Sequence, residues 1–496
     1  LNPSTLFFSH SVTGPRFAVF PASLLVVAAT LSLLEGCGPK ISHYVLVENS
    51  LRARDTAKAD QILEQSEKEY GTKSQVLYRM DRGMTLQLAG RYQDSTAVLE
   101  QAEEEVDRLY TRRFRTEAKA FLINDTELTY EGDAYEQVMI NVLKAVNYAI
   151  TGAWNDAAVE ARKIDHRLNV LSDRAQENDA YRDDAFARYF TGLVYEVTGD
   201  VNNAFIAYRK AYDEYGRARS WSRTPIPPML RADLLRVTDA LHLSQEHEDY
   251  RREFADVTWQ PVSDQQQLAQ VVVIGYNGRA PHKEDLFIDL PISLDALKLV
   301  LLTKGAVGPS NQDSRAVESV LYGLNGRVVR VALPRLVPQK TQVAYEQVSL
   351  SGARGYFGGR TELGQNLSAL AEKSLSDRFA SLAVKAVARA AVKYSLAEGA
   401  GRGARAAAGK DAGPWVGLLV GALAKTLAAA SEEADKRSWR TLPDEVQIAR
   451  LWVPPGDYEL RVRPLGRDGG GVGQESMRTV ALQGGETKLF IERVLP

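Results

Sequence analysis

One pattern constrains this chain more than any other. From about residue 42 to 254, small and aromatic residues return at fixed intervals in sequence that is sparse in glycine and proline. The clearest copy is Gly192, Tyr195, Gly199, Ala204, Tyr208 and Ala211. Apolar residues three and four apart mark amphipathic helices. Gly199-Asp200 is a stop, because glycine takes the left-handed conformation at a helix end at little cost. Small side chains at Gly192 and Ala204 let two antiparallel helices approach closely, and Tyr195 and Tyr208 fill the groove between them. One such hairpin cannot bury its apolar face alone, so it must stack on neighbours.

A second copy is Ala145, Tyr148, Gly152, Trp154, Ala157, Ala161 and Ile164, and a weaker one is Gly83, Leu86, Gly90, Tyr92, Leu99 and Ala102. The spacing resembles the tetratricopeptide repeat (TPR) consensus. The turn glycines stand 62 and 47 residues apart (90 to 152, 152 to 199), against about 34 in a regular array. Extra helix or loop is therefore expected between repeats. The resemblance implies an exposed concave face that binds peptides or protein partners. A packed bundle without a groove is the plain alternative. Arg112, Arg113 and Arg115 read as a solvated helix face rather than a binding patch.

The pattern changes after Pro261. Gln270-Val-Val-Val-Ile-Gly275 is a buried-strand run closed by the turn signal Tyr276-Asn277-Gly278. Further strands are expected over 285–290, 327–333 and 342–350, punctuated by Pro291, Pro334 and Pro338. A helical stretch is expected over 361–394, with a glycine- and alanine-rich passage behind it. Gly413, Gly417 and Gly421 then fall four apart on one helix face, which favours a core or partner contact over membrane insertion. Strands return over 446–453, 458–462, 478–482 and 488–494, at hairpin spacing that suggests an immunoglobulin-like or transthyretin-like sandwich. The strands on either side of the insertion are expected to share one sheet system.

The expected fold is thus α+β: an N-terminal TPR-like α-helical array (37–255), then a C-terminal β-sandwich-like domain with a helical insertion. The β-rich part would comprise 262–350 and 444–496, with the insertion at 360–440.

The opening segment speaks to location. Arg16 precedes a short apolar run ending Leu34-Glu35-Gly36-Cys37-Gly38. A basic residue, an apolar stretch and a small residue before the cut make a secretory signal. Leu34 to Cys37 resembles the lipobox, with cleavage between Gly36 and Cys37 and lipid on Cys37; Glu35 departs from its usual small residue. Residues 1–36 are accordingly expected to be a lipoprotein signal peptide. Cys37 is the single cysteine of 496 residues, so no disulfide can form within the chain. Acyl chains at ~0.8 kcal/mol per buried CH2 would hold the protein to a membrane without a spanning helix. Gly38 after the cysteine implies the outer membrane of a Gram-negative bacterium, facing the periplasm.

Catalytic, metal and cofactor chemistry is not expected. The formal net charge of -2 argues against a nucleic-acid partner. His242 and His247 are five apart, off the i, i+4 face of a zinc helix. The passage 404–411 lacks the first glycine and the Ser/Thr of a phosphate loop. No two carboxylates can be paired by spacing.

Four sets of residues together resemble a family of poorly characterised, TPR-containing bacterial lipoproteins. They are Tyr130-Glu131-Gly132-Asp133-Ala134-Tyr135-Glu136, with Asn147-Tyr148 and Val159-Glu160-Ala161-Arg162; Asn277-Gly278-Arg279-Ala280-Pro281-His282-Lys283; Ala388-Arg389-Ala390-Ala391-Val392-Lys393-Tyr394; and Ala434-Asp435-Lys436-Arg437-Ser438-Trp439-Arg440-Thr441-Leu442-Pro443. The resemblance implies an outer-membrane lipoprotein in cell-envelope assembly, with no established enzyme activity. Arg437, Trp439 and Arg440 have two readings: they pin the insertion onto the sheet, with the arginines paired to Asp435 and Glu432, or they contact a ligand.

The expected function is a lipid-anchored periplasmic scaffold binding protein partners through a TPR-like surface. The alternatives are a regulator of peptidoglycan synthesis, a glycan-acting enzyme, and a homo-oligomer packed through the glycine-faced helix.

Overall fold

Helices run to residue 265 and strands dominate from 269 onward, with one long helix inserted among the strands. The computed structural model describes residues 42–113, 128–174, 181, 183–265, 267–291, 328–399 and 433–495. Gly36, Cys37, Arg115, the 404–411 passage and Gly413, Gly417 and Gly421 lie outside the described residues.

The helices are α1 (Ser42–Arg52), α2 (Thr56–Gln65), α3 (Glu67–Tyr70), α4 (Gln75–Leu88), α5 (Tyr92–Arg113), α6 (Ala134–Ile150), α7 (Trp154–Arg174), α8 (Ala185–Val197), α9 (Val201–Ser222), α10 (Pro228–Ala240), α11 (Ser244–Glu253) and the short α12 (Val262–Gln265). Helix pairs α4/α5, α6/α7 and α8/α9 are hairpins closed by Gly90, Gly152 and Gly199, with φ of 74°, 76° and 81°. In each, the next N–H reaches back five residues: Arg91 to Leu86 O, Ala153 to Tyr148 O and Asp200 to Tyr195 O. That closure satisfies the last helix carbonyls.

The same closure occurs at two turns that the sequence pattern did not reveal. Asp55 N donates to Ser50 O between α1 and α2, and Leu243 N donates to Thr238 O between α10 and α11. The left-handed residues there are Arg54 (φ 58°) and His242 (φ 55°), not glycine. Close approach follows the expected logic at Gly192, where an added Cβ would lie 2.5 Å from Tyr208 Cδ1. Gly83 meets Leu99 in the same way.

Among the described residues the strands make two four-stranded sheets and a two-stranded ribbon. The strands are β1 (Ala269–Asn277), β2 (Arg279–Pro291), β3 (Val328–Gln339), β4 (Tyr345–Gly352), β5 (Gly355–Arg360), β6 (Glu362–Asn366), β7 (Glu445–Val453), β8 (Gly456–Leu465), β9 (Ser476–Leu482) and β10 (Thr487–Val494). The first sheet has the order β10-β1-β7-β6, the second β5-β4-β8-β9, and β2 pairs with β3. Strands from before and after the insertion do share sheets: β1 lies between β10, parallel, and β7, antiparallel. Helix α13 (Leu367–Gly399) follows β6 directly and packs on the ribbon.

Two expectations change. Pro334 and Pro338 do not end a strand but sit inside β3, where Pro334 pairs with Asp285; a ribbon edge tolerates the missing N–H. The insertion's helix starts at Leu367, not near 361, because residues 362–366 pair with β7. The glycine-rich run 355–360, for which the sequence pattern gave no expectation, is a strand, β5.

Every residue of β1 is buried. One face, with Val271 and Val273, packs on the second sheet. The other, with Val272, Ile274 and Tyr276, joins the helical core. The strands and helices therefore share a continuous interior.

Candidate functional site

An irregular strap, residues 434–444, threads between the helices and the first sheet. Its backbone has no ladder to satisfy it, so side chains and isolated backbone contacts must do so. Trp439, 1% exposed, donates its backbone N–H to Glu136 Oε1 at 2.8 Å and its indole Nε1 to Thr441 Oγ1 at 2.9 Å. Thr441 Oγ1 in turn donates to Asp81 Oδ1 at 2.9 Å. Further along, Ala280 N reaches Leu442 O at 2.9 Å, and Asp444 N reaches Asn277 O at 2.9 Å.

Arg437 is buried and fully engaged. Its Nε and Nη2 meet the two oxygens of Asp435 at 2.8 and 2.7 Å, and Nη1 donates to Leu128 O at 3.0 Å. Its guanidinium lies over the Tyr130 ring, 5.2 Å from the centroid. Arg440, by contrast, stacks over the Tyr44 ring at 4.8 Å and is half-buried. The pairing of Arg437 with Asp435 is thus found, while Arg440 uses an aromatic face; Glu432 lies outside the described residues.

Two carboxylates receive the strap. Glu136 accepts from Tyr130 Oη at 2.5 Å, Asp133 N at 2.8 Å and Trp439 N at 2.8 Å. With Asp133 it forms the capping box of α6. Burial and the Asp133 charge push the Glu136 carboxyl up from its ordinary value. Burial also works against ionised Asp133, but Lys283 and Arg378, at 3.3 and 2.9 Å, hold its pKa well down. Such a split pair could serve acid–base chemistry. Here, however, the oxygens of Glu136 are taken up by the chain's own donors. Asp81 is likewise buried, and accepts from Tyr44 Oη at 2.7 Å and Tyr70 Oη at 2.9 Å besides Thr441. Burial raises its pKa, and these donors oppose that rise.

Segments far apart in the chain therefore converge. Tyr130 to Glu136, Arg279 to Lys283 and the strap meet at one junction. Asn147 and Glu160 serve elsewhere, as buried knots between helices. Gln87 Nε2 donates to Asn147 Oδ1 at 2.8 Å, and Asn141 Nδ2 donates to Glu160 Oε2 at 3.0 Å. Side chains beyond residue 386 of α13, including the 388–394 segment, lie outside what is described.

A second junction was not legible from the sequence. Arg450 of β7 reaches Asp233 Oδ2 at 2.6 Å, Glu196 Oε2 at 3.1 Å and Tyr208 Oη at 3.3 Å. Arg236 Nε also meets Glu196 Oε1 at 2.6 Å. Both carboxylates and both guanidinia are almost wholly buried. Burial opposes the Glu196 charge, but Arg236 and Arg450 together hold its pKa low. At the edge of the sheet, Gln365 Nε2 donates to Asp184 Oδ2 at 2.8 Å, and Tyr215 Oη donates to Gly364 O at 2.8 Å.

Ala157, Ala204, Tyr208 and Ala211 are fully buried, Trp154 is half-buried, and Tyr195 Oη donates to Asp165 Oδ2 at 3.1 Å. His247 packs on Thr238 and the Trp259 ring. The first helices of the hairpins turn inward. Asp81 on α4, Glu136 on α6, Glu196 on α8 and Asp233 on α10 all bind the strap or β7. That inner face is occupied by the chain's own strap and strands. Among the described residues there is no cluster of metal-ligating side chains, and no helix long and apolar enough to cross a membrane. No known family profile matches the chain, and no curated protein matches it as a relative.

Proposed function

We propose that this protein is a lipid-anchored periplasmic scaffold of the bacterial envelope. In this reading it carries a TPR-like array rigidly mounted on an immunoglobulin-like or transthyretin-like sandwich, and it belongs with the TPR-containing outer-membrane lipoproteins its segments resemble. The observation that carries it is the pair of buried junctions. They fix a series of helix hairpins to the sheet as one body, which suits holding a partner in place. Because the inner helices are covered, protein partners would dock on the outer helices of the hairpins, such as α7 and α11. The signal-like segment 1–36 immediately before Cys37 supports the anchor.

Photocrosslinking residues placed at Val159 on α7 and Arg251 on α11 test the docking. A reproducible protein adduct from either position in cells is expected. Absence of an adduct at both would remove the outer-face reading. The anchor is tested separately: Cys37→Ser should lose acyl labelling and leave the membrane fraction, and an unchanged distribution would refute lipidation.

A further inference from the structure

Strand β10 ends beside β1, and Arg493 pairs in register with Tyr276 in the parallel ladder. Their side chains therefore stand side by side on the face of the first sheet that meets the helices. Tyr276 is 1% exposed, and its Oη has no hydrogen-bond partner among the described residues. Arg493 donates through Nη2 to Thr441 O at 3.3 Å. Its Nε and Nη1 are buried and have no acceptor.

The charges nearby make matters worse for this arginine. The neighbouring ionic group is another guanidinium, Arg279, itself held by Glu48. Burial first, and then Arg279, press the Arg493 pKa far below the ordinary guanidinium value, with Tyr276 opposing. Two other basic side chains near Arg279 are already engaged: Arg440 lies over Tyr44, and His282, whose pKa burial lowers, meets Glu284 at 3.2 Å.

Native proteins almost always supply a buried charge with a counter-charge. The described chain supplies none for Arg493. What these two register partners leave unsatisfied instead is a set of donors: the phenol O–H of Tyr276 and the N–H groups on Nε and Nη1. Water could accept from these donors, but it would leave the charge uncompensated. A guanidinium edge gives paired N–H bonds to planar or tetrahedral oxyanions. We propose that Arg493 and Tyr276, with Arg279 at the rim, bind a small oxyanion, either a carboxylate or a phosphate group. The proposal stands apart from the scaffold reading, since it needs neither an anchor nor a protein partner.

The test titrates the full chain with sodium phosphate and, separately, with sodium acetate, at ionic strength held constant with chloride. Calorimetry and thermal unfolding report binding. Saturable binding of at least one anion is expected, with an upward shift in Tm relative to chloride. Phosphate alone would identify a phosphoryl ligand, and acetate alone a carboxylate. Arg493→Gln should weaken binding at least tenfold, and Tyr276→Phe several-fold. Arg461→Gln, at an exposed position of β8, should leave binding unchanged. Without anion, Arg493→Gln should be at least as stable as the parent, because it removes an unpaired buried charge. A merely structural arginine would instead lose stability. No saturable binding of either anion, or equal binding by Arg493→Gln, would overturn the proposal.

Discussion

The two faces of the first sheet are built from alternate residues of the same strands, yet they are held differently. Toward the second sheet, Val271, Val273, Ala449, Leu451 and Val453 meet Val348, Leu350, Leu460 and Val462 in an apolar layer. Toward the helices, Val272, Ile274, Val446 and Ile448 are also apolar, but Arg450, Tyr276 and Arg493 stand among them. Apolar burial is non-directional and stabilises many relative placements almost equally. Paired charges with fixed hydrogen bonds stabilise one. The sandwiched face therefore supplies cohesion, and we infer that the helix-facing side supplies position.

The sharpest way to break this contrast is Arg450→Leu. It leaves Glu196 and Asp233 buried with Arg236 as their remaining cation. Removing one partner of a buried pair costs roughly 3–5 kcal/mol, read as a lower midpoint in urea unfolding. Replacing Arg236, Glu196, Asp233 and Arg450 together by apolar residues should restore most of that stability. If position is what the charges supply, the quadruple variant will be stable but will show altered protection from amide exchange in β7. Native-like protection there would refute the positional role.

Leu460→Ala probes the other face. It empties part of the apolar layer and should cost roughly 2–5 kcal/mol, depending on how far the layer collapses. Because burial there fixes no particular partner, conservative repacking such as Leu460→Met should recover most of the loss. A loss as large for methionine as for alanine would put specificity on this face too.

Much of this was legible in the sequence, and the reasons for the rest are physical. Gly90, Gly152 and Gly199 announced their turns because glycine marks a left-handed residue. Arg54 and His242 adopt the same conformation without that marker, so their hairpins were invisible. Strand β5 hid because its glycines imitate a turn, and its exposed edge has no apolar alternation to show. Trp439 could be read as a pin, since a large aromatic among arginines needs a buried seat. Its acceptor Glu136 could not be named at a separation of 303 residues. Arg450 gave still less warning. In a strand it looks like an outward-facing charge, and its partners Asp233 and Glu196 lie 217 and 254 residues away.

The sandwiched face has a polar end, which sharpens the comparison further. Glu346 of β4 points at Gly275, where an added Cβ would sit 2.3 Å from Oε1. Burial, and then the Glu492 charge, raise its pKa to about 8, while Asn277 opposes. The folded state therefore holds this proton when the unfolded chain has released it. Stability from this group is full below about pH 4.5 and is lost progressively as the pH rises toward 8. Glu346→Gln should remove that loss, gaining about 1–3 kcal/mol at pH 8.5 with little change at pH 4.5. A parallel pH profile for the two proteins would show that Glu346 finds a partner in solution.

Thr441→Val makes the smallest change and acts where the strap meets the helices. The side chain keeps its shape, but Asp81 loses one donor and the Trp439 indole loses its acceptor. Tyr44 and Tyr70 still donate to Asp81, so the carboxylate keeps its seat. A cost of about 1 kcal/mol is expected, with a change in Trp439 fluorescence that Thr441→Ser does not produce. The serine variant is the discriminating one. It retains the hydroxyl and loses only a methyl group, so full recovery would assign the junction to directional bonds. If serine were as damaging as valine, the strap would be held by packing, and the two faces of the sheet would differ less than their residues suggest.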